Sequence, residues 1–173
     1  MIHTQRVRNM RLRAIEPEDL DFLYTIENDS DMWDVGVANT PYSHFLLNKY
    51  LLSCSSDIYA DRQMRLVMET EKGTPVGLLD IFNFEPQHLR ADLGIAVLRS
   101  ERNHGYGLEA VKLAVEYAKN VLHLHQLCAV VAHNNKPSLK LFHDAGFQDN
   151  ALLKDWIFDG KEYHDASLMQ IFL

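Results

Sequence analysis

The sequence predicts an α/β (α+β) domain: one mixed sheet of about seven strands with helices on both sides, in the order βααβββαβαββ. Three observations carry this. Apolar spacing alternates along the chain between a period of two and a helical period. The run Gln126 to His133 is apolar on both faces, as expected of a central strand covered on both sides. And 173 residues suit one domain spanning residues 1–173, long enough for one sizeable core and too short for two ordinary ones.

The elements follow in order. Met10 to Ala14 reads as a short first strand with arginines on one face. Glu16-Pro17-Glu18-Asp19 opens a helix, because proline suits the first turn and acidic groups complement the positive end of the dipole. Leu20, Phe22, Leu23 and Ile26 give that helix its apolar contacts, and Asn28-Asp29-Ser30 stops it. Asp31 to Pro41, with Trp33, Gly36 and Val37, is irregular. A second helix starts near Ser43 and runs through Phe45, Leu46, Tyr50 and Leu51. Strands are expected at Arg65 to Glu69, Pro75 to Phe84 and Arg90 to Leu98, the first two joined by the tight turn Glu71-Lys72-Gly73-Thr74. After Gly107, apolar residues at Leu108, Val111, Val115, Ala118 and Leu122 set a helix of about four turns. A strand follows at Gln126 to His133, then a short helix from Pro137 to Asp144 with Gly146 at its C-terminal cap. Two last strands, Leu152 to Phe158 and Glu162 to Phe172, are joined by the hairpin signal Asp159-Gly160.

Composition narrows the function. With 47% apolar and 24% charged residues the chain is expected to be globular rather than disordered. A net charge of −7 lacks the basic footprint of a general nucleic-acid binder. Arg6, Arg8, Arg11 and Arg13 are not followed by an apolar segment, so no signal peptide is expected. No stretch approaches the ~20 apolar residues that span a bilayer, and a cytoplasmic protein is the expectation. Cys54 and Cys128 form no CxxC or disulfide framework, and Cys128 lies in an apolar run as an ordinary buried thiol.

The segment that carries chemistry is Arg102-Asn103-His104-Gly105-Tyr106-Gly107-Leu108, between a strand and a long amphipathic helix. Two glycines at a strand-to-helix junction let the backbone approach a ligand closely. The first amides of the helix point outward without intrahelical partners, which suits a phosphate or pyrophosphate. Gly-x-Gly alone equally describes a tight turn. Ala110 completes a formal GxGxxG/A match, but the βαβ context and the following acidic residue of a dinucleotide fold are missing. No GxxxxGK[ST], GxSxG or HExxH occurs.

The stretch Arg102 to Gly107 resembles the acetyl-CoA motif Q/R-x-x-G-x-G/A of the GNAT N-acetyltransferase family. Asp92-Leu93-Gly94-Ile95-Ala96-Val97 resembles the family strand that pairs with the pantetheine arm. Asn135, followed by Ser138 to Phe147, is similar to the second signature, an Asn and a short helix ending in Gly-Phe. Leu12 to Leu20 and Tyr163 to Met169 match the family's start and end, so the likeness covers nearly the whole chain in order. It is nearest the branch with spermidine and ribosomal-protein N-terminal acetyltransferases. The resemblance implies a mostly antiparallel sheet and acetyl-CoA as co-substrate, without a metal. It implies that the backbone of Arg102, Asn103, His104, Gly105, Tyr106, Gly107 and Leu108 holds the pyrophosphate. Ile95, Ala96 and Val97 would hold the pantetheine, and Asn135 and Phe142 would lie beside the coenzyme. Residue chemistry agrees: Leu93, Ile95 and Val97 can face the core, while Gly94 and Ala96 leave the opposite face open to a slim ligand.

Acetylating an amine with a pKa near ~10.4 requires a proton acceptor. Asp80 is the candidate base. It interrupts the apolar run Leu78 to Phe82, where an ionised group is costly without a purpose or partner, and a Glu of the spermidine branch stands there; the plain alternative is an Asp on the solvent side. Asp92 reads rather as a partner for a nearby arginine. Phe142 departs from the family's Tyr, which serves as general acid, and phenylalanine cannot donate that proton. A thiolate with a thiol pKa around 8.5 can leave without one. His143 lies about 100° round the helix and is a poor substitute; Tyr106 reads as structural. His123 and His125 lack further ligands, so no metal is expected. Trp33 and Trp156 read as packing or pocket-wall residues. The expected partner is a small-molecule amine, polyamine-like, or a peptide N-terminus, with neither nucleic acid nor membrane, and a homodimer is compatible. Neutral Ala38-Asn39-Thr40 stands where the polyamine branch is acidic. The rival from another class is a non-catalytic acyl-CoA-binding module on the same fold, supported by Phe142.

Overall fold

The structure is a computed structural model and describes residues 10–29, 40–55 and 57–173. The expectations for Arg6, Arg8, Trp33, Gly36, Val37, Ala38 and Asn39 lie outside the described residues.

Strand β1 (Met10–Ala14) leads through a single 3-10 turn, Pro17–Asp19, into α1 (Leu20–Glu27). Helix α2 (His44–Ser53) begins at Ser43, whose hydroxyl accepts the Leu46 amide. A one-turn helix α3 (Ile58–Asp61), capped by Asp57, was not foreseen; four residues are too few to show a period. The meander β2 (Met64–Thr70), β3 (Pro75–Glu85) and β4 (Arg90–Val97) follows. Then come α4 (Tyr106–Asn120), β5 (Gln126–Ala132), α5 (Lys136–Asp144), β6 (Gln148–Phe158) and β7 (Tyr163–Phe172). The expected order holds. β6 starts four residues early because its outer part is paired yet polar, which leaves no apolar alternation to mark it.

The seven strands form one sheet in the order β1-β2-β3-β4-β5-β7-β6. All neighbours are antiparallel except β4 and β5. One face carries Leu79, Ile81, Leu93, Leu127, Ala129 and Met169, which pack with Ala110, Val111 and Ala114 of α4 and Phe142 of α5. The other face carries Val67 and Leu78 under Leu23 and Ile26 of α1 and Leu47 of α2. Cα partners in an antiparallel pair point to the same side, so the rungs Arg65 with Asp80, Asp80 with Gly94, and Leu78 with Ala96 belong to the α1–α2 face.

Two expectations about packing are corrected. β5 is not covered on both faces: Val130 is 44% exposed, because α1 and α2 cover only β2 to β4 on that side. Trp156 is 59% exposed rather than packed, since it lies on the outermost strand, β6.

At the other edge, Arg13 joins β1, β2 and the 3-10 turn. Its guanidinium donates to Asp19 Oδ2 and Oδ1 at 2.7 and 2.8 Å and to a Glu69 carboxylate oxygen, while Arg11 donates to Glu69 Oε1 at 2.7 Å. Asp19 also accepts the Glu16 amide, so two nearly buried carboxylates are paired. The arginine bonds hold both below the usual carboxylate range.

Candidate active site

The parallel pair at the centre of the sheet is short. β4 and β5 pair only over Arg90–Gln126, Ala91–Leu127 and Asp92–Cys128. Beyond Asp92, β4 keeps its ladder to β3 as far as Val97, whereas β5 continues its ladder to β7. The two strands therefore splay, and Leu93 to Val97 present about 16 Å of strand edge, at ~3.3 Å per residue, towards the gap. Unpaired strand edge is a template for an extended partner carrying amides of its own.

The gap leads to the start of α4. Gly105 is the N-cap and has φ 84°, with no capping side chain on the amides of the first turn. Asn103 also has positive φ, 62°. The loop is braced by Arg102, whose Nε donates to the Val97 carbonyl at 3.2 Å. Arg102, Asn103, His104 and Gly105 are exposed, Tyr106 and Leu108 are half-buried and Gly107 is buried. An open helix N-terminus with a basic residue beside it fits a diphosphate. Asn135 is the N-cap of α5, where its Oδ1 accepts the Ser138 amide at 3.2 Å.

The two glycines have different reasons. Gly105 takes a backbone conformation that side chains disfavour. Gly107 faces inward: a Cβ there would stand 2.6 Å from Leu141 Cδ1 and 3.7 Å from both Ile95 Cδ1 and Val97 Cγ2. It is glycine because α4 packs closely on α5 and β4, a reason that no local pattern shows.

Other expectations shift. Leu93, Ile95 and Val97 do face the core under α4 and α5. The opposite face is not open as expected: Ala96 packs beside Leu98 and the Leu78 cluster, and Phe82 Cε1 lies 3.3 Å from where a Cβ of Gly94 would be. Phe142 is 3% exposed, with its ring edge-on to Phe147 at 5.1 Å between centroids, so it is a core residue. Asp92 does not pair with an arginine as expected; it accepts Asn83 Nδ2 at 2.8 Å. Asn83 reaches it because β3 is irregular there, with φ 48° at Asn83 and a register shift between Phe82 and Glu85. Such a bulge re-aims side chains.

Asp80 lines a cleft of about 470 Å³ with Glu27, Tyr42, Leu46, Leu47, Tyr50, Gln63, Met64, Arg65 and Phe82. The partner that its position calls for is Arg65, one rung away on β2. Arg65 Nε and Nη2 donate to Asp80 Oδ1 and Oδ2 at 2.7 and 2.8 Å, and Nη1 donates to Glu27 Oε1. The guanidinium carbon lies 5.7 Å from the centroid of the Tyr50 ring. Burial opposes the arginine's charge, yet the bonds to Asp80 and the fields of Asp80 and Glu27 keep its pKa above the ordinary value. Burial also pushes the Tyr50 hydroxyl up to about 12. Arg65 and Glu27 are members that the sequence reading missed: Arg65 lies 15 residues from Asp80 and 38 from Glu27, and it is the antiparallel register that sets it opposite Asp80.

Cys128, on the last rung before the splay, is buried, and burial raises its thiol pKa above the ordinary cysteine value. A thiol held protonated is a poor nucleophile. Among the described residues one trio has ligand atoms within 4.8 Å of one another, Asp159, Glu162 and His164 in the β6–β7 turn. There Asp159 accepts the amides of Lys161 and Glu162 and a bond with His164 Nε2, the ordinary wiring of an Asx turn.

A sheet splayed at its one parallel pair, with an open helix N-terminus below the gap, is matched by a family model. The model described as acetyltransferase (GNAT) domain fits residues 9–148. The chain belongs to the GNAT acetyltransferase family. Membership makes the chain an acetyl-CoA-dependent N-acetyltransferase. Among curated proteins the chain is similar to the spermidine N(1)-acetyltransferase of Escherichia coli. The two are 26% identical over 164 residues, covering 95% of this chain and 86% of that protein. It is 25% identical over 167 residues to the Vibrio cholerae spermidine N(1)-acetyltransferase, covering 94% and 92%. The fold is that of the Vibrio cholerae spermidine N-acetyltransferase solved in complex with CoA and spermine, with TM-score 0.85, 24% identity and 95% of both chains covered. A dodecameric structure of that enzyme matches at TM-score 0.80 and 23% identity, covering 95% and 94%. No helix among the described residues is long and apolar enough to cross a membrane.

Proposed function

We propose that this GNAT enzyme acetylates the primary amine of a small, polyamine-like molecule by direct transfer, with coenzyme and amine bound together. The single observation that carries the reading is the juxtaposition in the sheet. The free edge of β4 begins at Leu93, and Asp80, one rung from Gly94 on the neighbouring strand, opens into the α1–α2 cleft. The coenzyme's edge and the candidate base thereby stand on neighbouring strands, one rung apart. Spermidine as acceptor of the relatives supports a cationic amine here.

Bound acetyl-CoA supplies an activated acyl carbon and a thiolate leaving group. The chain's own groups do the rest. The open amides of Tyr106, Gly107 and Leu108, with Arg102 to Gly105 around them, hold the diphosphate, and the edge at Ile95, Ala96 and Val97 pairs with the pantetheine amides. Asn135 and the buried ring of Phe142 shape the α5 side of that channel. Asp80 orients the incoming ammonium and accepts its proton. Arg65 occupies one lone pair on each Asp80 oxygen and leaves another on each, since a carboxylate offers about four acceptor sites. As the now neutral nitrogen bonds to the acetyl carbon, the carbon–sulfur bond breaks, the nitrogen gives up its second proton to solvent and the thiolate takes one up from solvent, because Phe142 offers none. Holding both reactants in one geometry makes the step effectively unimolecular and so lowers its barrier. A chain of one subunit type in a cytoplasmic, oligomeric assembly is part of the proposal, on the strength of the dodecameric relative.

The test is acetyl-CoA-dependent thiol release across polyamines, simple amines and peptides. Release stimulated by amines supports transfer. Protection of the fold by CoA with no amine-stimulated release supports instead the non-catalytic binding module, for which the buried Phe142 in place of an acid is the specific observation.

A further inference from the structure

Three charged side chains among the described residues line the acceptor cleft, and one of them ties the other two together. Asp80 and Glu27 bring two negative charges, and Arg65 bonds to both. Each of the three is only partly exposed, so their charges act in a medium of lower dielectric than water. The rest of the lining is apolar or aromatic in large part, with Tyr42, Leu46, Leu47, Met64 and Phe82. The described wall thus carries one net negative charge, enough to balance a single ammonium.

We infer that Arg65 is a specificity-determining residue of this acceptor cleft, cancelling one of its two carboxylates and so limiting the advantage of acceptors that carry more than one ammonium group. The inference rests on the acetyltransferase reading above. Its physical basis is that specificity is a difference of affinities, and a fixed cation in the wall lowers the gain from each further positive charge on the ligand. Arginine suits the role better than lysine, because its charge cannot be removed at accessible pH and its fork fixes both carboxylates at once. Stacking near Tyr50 and the bond to α1 keep it from swinging out of the wall.

The experiment compares 1-aminohexane, 1,6-diaminohexane and spermidine as acceptors in the full chain, by acetyl-CoA-dependent thiol release. The readout is the ratio of kcat/KM between the di- or tricationic acceptor and the monoamine, for wild type, Arg65→Gln and Arg65→Lys. Arg65→Gln is expected to raise that ratio about tenfold, the effect of one partly screened charge. Arg65→Lys keeps the charge without the fork and is expected to keep the wild-type ratio even where kcat falls. Circular dichroism melts confirm that each variant is folded. An unchanged ratio in Arg65→Gln overturns the inference, and so does an equal rise in Arg65→Lys. Wild type that acetylates amines while the ratio stays fixed in Arg65→Gln sinks this inference alone. Wild type that releases no thiol with any amine sinks it together with the acetyltransferase reading.

Discussion

Replacing Gly107 by alanine separates two reasons for a glycine that the sequence cannot tell apart. The new Cβ would stand 2.6 Å from Leu141 Cδ1, about 1 Å inside the ordinary carbon–carbon contact of ~3.5–4.0 Å. Leu141 is half-buried, so its methyl can retreat, and the cost falls in the lower half of the ~1–3 kcal/mol typical of overpacking. Alanine returns up to ~1 kcal/mol of helix propensity in a helix interior and less at the second position of α4. The net expectation is a loss of about 1–2 kcal/mol, or roughly 3–6 °C in Tm for a domain of this size. The assay is thermal unfolding of Gly107→Ala, Leu141→Ala and the double variant, with calorimetric titration by CoA. Removing Leu141 Cδ1 should rescue the alanine, giving a coupling of about 1 kcal/mol, above the ~0.3–0.5 kcal/mol scatter of independent sites. CoA affinity should fall only modestly, because the amide of residue 107 is retained. An unchanged Tm with strongly weakened CoA binding would refute the packing argument and restore the view that Gly107 is there for ligand approach.

Asp80→Asn should lower kcat/KM for amines by about 10²–10⁴, the usual worth of a general base, and full activity at every pH ends its role. Gly105→Ala, at φ 84°, should cost about 1–2 kcal/mol of stability and weaken CoA binding more than Gly107→Ala does, both read by the same melts and titrations. The Arg13 node sets a pH dependence. Asp19 and Glu69 have depressed folded-state pKa values, so their stabilisation is complete above the unfolded carboxylate values of ~4. It is lost as pH falls through the folded values. Tm should therefore hold from neutral pH down to about 5 and drop below about 4. In Arg13→Gln, Tm at pH 7 should be several degrees lower and that acid-side drop should shrink; a parallel drop in both proteins would show that the node does not govern acid stability.

How much of this was legible in the sequence depends on how local the cause is. Helix α2 was legible near Ser43 from its apolar residues Phe45, Leu46, Tyr50 and Leu51, and the β6–β7 turn at Asp159-Gly160 because the turn's geometry is written in those two residues. The junction from Arg102 to Leu108 was legible for the same reason: an uncapped helix start after a glycine is a local fact. Arg65 was not. It stands 15 residues from Asp80 and 38 from Glu27, and only the antiparallel register of β2 on β3, with α1 laid across them, makes the three one group. Phe142 shows the converse: the family resemblance implies a place beside the coenzyme, and its ring belongs to the core.

The sequence by itself determined the element order, the presence of helices on both faces of the sheet and the strand-to-helix junction from Arg102 to Leu108, because periodicity, caps and turns act over a few residues. The tertiary structure alone decided that β4 and β5 part after Asp92, that Gly107 is held to glycine by Leu141, and that the cleft's two carboxylates share one arginine. Those facts depend on which strands and helices come to lie side by side, and side chains far apart in the chain carry no mark of a neighbour they meet only when the sheet closes.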